Sequence, residues 1–76
     1  MACIISPTEN IDTFEIEMFL MQIRLDGMPI QWDMADKGGV RVYSNIEHPL
    51  MYTMLRAKAA QGIPECVISD QIVEEH

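Results

Sequence analysis

The sequence predicts an α+β fold with the element order β-α-β-β-α-β, and three observations carry that prediction. Two stretches of helical character each run into Gly-x-Pro, at Gly27-Met28-Pro29 and Gly62-Ile63-Pro64. In that pattern glycine caps a helix C-terminus and proline blocks its continuation. Each stretch is preceded by Ser-x-x-Glu, at Ser6-Pro7-Thr8-Glu9 and Ser44-Asn45-Ile46-Glu47, the spacing of a capping box. Short apolar runs rich in β-branched residues flank both helices, as strands do. The order strand, Ser-x-x-Glu, helix, Gly-x-Pro, strand therefore occurs twice, at positions 2 to 34 and again at 40 to 69.

Residues 2 to 6 read as a short buried strand. The first helix is placed at 7 to 26, with Ser6 as N-cap and Pro7 at the first helical position, where a missing N–H removes no hydrogen bond. A β-meander competes, because Phe14, Ile16, Met18 and Leu20 alternate and Asp26-Gly27 is a hairpin signal. The helix is preferred, since a strand from Thr13 to Leu25 would be unusually long and Pro29 would remove a ladder donor beside the turn. Residues 30 to 34 and 40 to 44 read as two strands, and the glycine pair Gly38-Gly39 joins them as an antiparallel hairpin. The second helix is placed at 46 to 61, with His48 as an alternative start because Pro49 disturbs the first turn. A strand at 65 to 69 and an acidic tail at 71 to 76 complete a single domain of 1 to 76. Right-handed crossovers in this order give a ferredoxin-like double split βαβ, a four-stranded antiparallel sheet with both helices on one face.

Twelve acidic against five basic residues in a 76-residue chain give a net charge of -7, a field that repels phosphate backbones and anionic lipid. Nucleic-acid and membrane partners are therefore not expected. An RNA platform is also unsupported, since strand aromatics are limited to Trp32 and Tyr43. The N-terminal apolar run, Ala2 to Ile5, is too short for a signal peptide or a membrane span, so a cytoplasmic location is expected. Cys3 and Cys66 lack paired spacing and read as reduced, buried residues. Cys3, His48, Cys66 and His76 lack ligand spacing, so neither a metal nor a cofactor is expected. The seven methionines read chiefly as adaptable core packing.

Two apolar stripes run along the first helix. Ile11, Phe14, Met18, Met21 and Leu25 form one, assigned here to the sheet. Ile16, Phe19, Leu20 and Ile23 form the other, assigned to a contact outside the domain. On the sheet, alternation places Arg41 and Tyr43 on the uncovered face. These six residues, Ile16, Phe19, Leu20, Ile23, Arg41 and Tyr43, are the expected interaction set. The expected function is a small non-enzymatic interaction or regulatory module that forms a homodimer and binds a protein partner. The first alternative is an acidic inhibitor of the phage type, or a nucleic-acid charge mimic. The second is a ligand sensor or degenerate enzyme on a sheet edge where Ser6, Ser44, His48, Glu65 and Cys66 are expected to meet.

Overall fold

The computed structural model describes residues 2–36 and 38–69, with Val67 by its backbone alone, so the acidic tail read at 71–76 lies outside the described residues. The elements are β1 (Cys3–Ser6), α1 (Thr13–Leu25), β2 (Ile30–Met34), β3 (Val40–Ser44), α2 (His48–Gly62) and β4 (Val67–Ser69). The fold is α+β, with a four-stranded sheet in the order β2-β3-β1-β4 and every neighbouring pair antiparallel. Both strands flanking α1 are therefore parallel to each other with β3 between them, and both strands flanking α2 are parallel with β1 between them.

Register fixes which side chains share a face. Cys3 opposes Val42, Ile5 opposes Val40 and Ile68, and Trp32 opposes Val42. Cys3, Ile5, Ile30, Val40 and Val42 are buried there against Ile16, Leu20 and Ile23 of α1 and Met51, Leu55 and Ala59 of α2. Side chains alternate along each strand, so Ile4, Gln31, Asp33, Arg41 and Tyr43 stand on the opposite face.

The first helix starts later than the sequence reading places it, and the second starts at His48, the alternative start, instead of at residue 46. The first is capped by Asp12, whose side chain accepts from the Glu15 N–H at 2.9 Å while the Glu15 carboxylate accepts from the Asp12 N–H at 3.2 Å. This is a capping box one turn and a half downstream of Ser6-Pro7-Thr8-Glu9. Ser6 is already committed to β1, paired with Val67. Thr8 and Ile11 exchange backbone hydrogen bonds, and the Thr8 hydroxyl accepts from the Asn10 N–H, closing a compact turn instead of a helix. At α2 the Ser44 hydroxyl donates to the Pro29 carbonyl at 2.5 Å and accepts from the Ile46 N–H. It is thereby unavailable as a cap, so the helix opens at His48 with Pro49 in its first turn.

The C-terminus of α1 closes as a Schellman motif. The Gly27 N–H donates to the Arg24 carbonyl, the Met28 N–H donates to the Ile23 carbonyl, and Gly27 has φ +114. The motif pairs the side chains of Met28 and Ile23, both buried. At the end of α2, a Cβ on Gly62 would stand 3.0 Å from Cδ1 of Phe19. The Phe19 ring thus fills the space that glycine leaves between the two helices.

Candidate protein-contact face

The two stripes of α1 are present, and their assignments are exchanged. Ile16 and Leu20 are fully buried and Ile23 is 5% exposed, so these three expected interaction residues are core residues. Phe19, the fourth, is half-buried against α2. On the other stripe Phe14 is 67% exposed, Met18 50%, Met21 44% and Leu25 77%; Ile11 of that stripe lies before the helix and packs partly against the core. The reason lies at the helix end, where the Met28 N–H donates to the Ile23 carbonyl and the two buried side chains pair, which turns Ile23 and its stripe toward the core. The methionines do not chiefly fill the core as expected. Met28 and Met51 are buried, whereas Met18, Met21 and Met34 are exposed.

At about 100° per residue, Phe14, Met18, Met21 and Leu25 span an arc of roughly 60°, centred opposite the buried arc of Ile16, Leu20 and Ile23. Glu15 and Gln22 border it on the side nearer α2, and Glu17 and Arg24 border it on the side nearer β2. The β2 side is fixed by Arg24, whose guanidinium lies over the Trp32 ring 4.3 Å from its centroid. The Arg24 charge is held in place beside the apolar stripe by this stacking. Met34, on the same sheet face as Trp32, is 55% exposed at the far end of β2 and stands outside the stripe.

No family model, curated protein or solved structure matches the chain.

Arg41 and Tyr43 stand on the face of the sheet away from the helices. Arg41 is committed to its cross-strand partner Asp33, donating from Nε at 3.0 Å and from Nη2 at 2.9 Å. This two-point contact holds the Asp33 carboxyl below the usual carboxylate range, chiefly through the hydrogen bonds. The face is thus neutralised locally, and Tyr43 beside Gln31 remains its exposed aromatic.

The edge expected to gather Ser6, Ser44, His48, Glu65 and Cys66 is divided, with Ser6, Glu65 and Cys66 toward one end of the sheet and Ser44 and His48 toward the other, because β1 and β3 are antiparallel. Ser6 pairs with Val67 at one end of the sheet, while Ser44 pairs with Ile30 at the other. Cys66 borders a shallow cavity of about 330 Å³ with Ala59, Ala60 and Ile63, at the C-terminal end of α2, and His48 is the first residue of that helix. A rise of 1.5 Å per residue puts roughly 17 Å between them. Glu65 accepts from Asn10 Nδ2 at 2.6 Å, tying the loop before α1 to the approach to β4. Among the described residues no three His, Cys, Asp or Glu side chains gather as a metal site.

Partial burial pushes the Cys66 thiol above its ordinary value. The nucleophile is the thiolate, so Cys66 is expected to react with iodoacetamide at pH 7.5 at least ~10-fold more slowly in the folded protein than after unfolding. The rate is expected to be the same in His48→Ala, given the separation of the two residues. Rapid alkylation of the folded protein near neutral pH that is lost in His48→Ala would contradict this placement.

Proposed function

We propose that this chain is a protein-association module, a ferredoxin-like double split βαβ unit acting in the cytoplasm, whose contact surface is the outward stripe of α1. One observation carries the reading: Phe14, Met18, Met21 and Leu25 form a continuous apolar line on the solvent side of a helix whose other side already fills the core. Contiguous apolar surface of this kind marks contact sites on small domains. Methionine suits such surfaces because its unbranched thioether adapts to the partner. The split strand order, with β3 inside the first βαβ unit and β1 inside the second, supports the fold assignment.

Carboxylates stand on both borders of the stripe, with Arg24 among them. That distribution fits a polar rim around an apolar contact better than the continuous anionic track a nucleic-acid mimic requires. The net charge of -7 repels anionic lipid surfaces, so the stripe is read as facing protein and not lipid.

Methionine oxidation tests the reading, because the chain carries its own standards. Met34 is exposed and Met51 is 1% exposed, which sets the fast and slow limits. In the cells that make the protein, Met18 and Met21 are expected to oxidise several-fold more slowly than Met34 under mild peroxide. In dilute purified protein they are expected to approach the Met34 rate. Equal rates for Met18, Met21 and Met34 inside the cell would remove the stripe as a contact surface.

A further inference from the structure

Resting on that association reading, we propose that the occupant of the stripe is a second copy of this chain, docked antiparallel along α1 about a two-fold axis between Met18 and Met21. The spacing of the stripe is the first argument. Phe14, Met18, Met21 and Leu25 stand at i, i+4, i+7 and i+11, the alternation of a helix-pairing seam. That sequence of steps, four, three, four, reads the same in either direction. A reversed second copy therefore sets Phe14 against the partner's Leu25 and Met18 against the partner's Met21, and the symmetry repeats both layers.

Charge is the second argument and fixes the direction. In an antiparallel pair like borders meet, so the β2-side border of one copy faces the β2-side border of the other. Glu17 then faces the partner's Arg24, and Arg24 faces the partner's Glu17, giving two opposite-charge contacts. Arg24 is already positioned for this by its seat over Trp32 at 4.3 Å. On the other border Glu15 meets the partner's Gln22, an uncharged acceptor and donor. A parallel pair would oppose unlike borders, set Glu17 against Gln22 and form neither charge contact.

The area sets the strength. The exposed fractions of the four stripe residues amount to roughly 480 Å² per copy, taking about 200 Å² for a fully exposed large side chain. Both copies together bury about 950 Å² of stripe, below the ~1,200–2,000 Å² of stable complexes until the borders are added. The dimer is therefore reversible, with a dissociation constant on the order of micromolar.

Sedimentation equilibrium from ~1 to 200 μM decides it, after circular dichroism has shown that each variant is folded. The wild-type chain is expected to move from monomer to dimer over that range, and Met21→Glu to stay monomeric with its helix content and melting unchanged. Glu17→Arg alone creates two arginine-arginine contacts, and Arg24→Glu alone creates two glutamate-glutamate contacts. Each is expected to weaken the dimer about 10-fold in 50 mM salt, with the penalty shrinking at 500 mM. Their equimolar mixture restores both opposite-charge contacts and is expected to dimerise within about 3-fold of wild type. If Arg24→Glu does not fold for want of the Trp32 contact, Arg24→Gln replaces it, since mixing it with Glu17→Arg also removes both arginine-arginine contacts. Dimers of the single variants as strong as wild type, with no gain on mixing, would overturn the antiparallel arrangement. A wild-type chain that stays monomeric at 200 μM while Met18 and Met21 are protected in cells would overturn the self-pairing and leave the association reading standing.

Discussion

Leu20→Ala is expected to lower the free energy of unfolding by ~3 kcal/mol or more, and Met21→Ala, one position along, by under ~0.5 kcal/mol. Leu20 is fully buried in the cluster that joins α1 to the sheet, beside Ile16 and Ile23 and over Val40 and Val42. Removing its three outer carbons forfeits their transfer energy and leaves a cavity among residues held by a hydrogen-bonded sheet, which relaxes poorly. Met21 stands in solvent at 44% exposure, and its loss removes few intramolecular contacts. A domain of this size rarely holds more than ~3–5 kcal/mol in its single core, so Leu20→Ala brings it close to unfolding at room temperature. Urea denaturation at ~0.05 μM, well below the micromolar dissociation constant, makes the comparison on monomer, where association adds nothing to apparent stability. Equal losses at the two positions would mean that α1 is rotated from the orientation described here.

The contrast between those neighbours is what sequence periodicity alone leaves open. Two stripes on α1 are legible from Ile16, Leu20 and Ile23 against Phe14, Met18, Met21 and Leu25, but periodicity gives their angular separation and not which one meets the sheet. The deciding signal lies at the helix end. Once Gly27 is taken as the left-handed residue of a Schellman motif, Met28 must pack on Ile23, and Ile23 carries its stripe into the core. The strands at 30–34 and 40–44 were legible because glycine or proline bounds them and β-branched residues fill them. Helix starts were less so, because Ser6 and Asp12 both present a capping box and only the strand pairing of Ser6 with Val67 removes the first. The expected Cys66 edge failed for a topological reason. Positions that look equivalent in two pattern repeats fall at opposite ends of a sheet when β1 and β3 are antiparallel.

Gly39→Ala is expected to destabilise the domain by about 2–4 kcal/mol, from a left-handed backbone and a collision that act together. Gly39 has φ +86, and a Cβ built on it would stand 2.8 Å from the Ile5 carbonyl oxygen and 3.3 Å from Cα of Ser6. Neither neighbour can yield cheaply. Ile5 lies between β3 and β4, opposed to Val40 on one side and Ile68 on the other, so moving its carbonyl disturbs two strand pairs at once. The Gly39 carbonyl also accepts from the Ala35 N–H at 3.1 Å, closing the β2-β3 turn. Gly38 supplies the control. Its φ is +90, but nothing lies within 4 Å of a Cβ there, so Gly38→Ala carries the backbone term alone, about 1 kcal/mol. Thermal denaturation of both variants separates the contributions, and the difference between them reports the approach of the β2-β3 turn to β1. Equal melting temperatures for the two would show that the turn is not seated against Ile5, and the β1-β3 register that places Cys3 opposite Val42 would have to be redrawn.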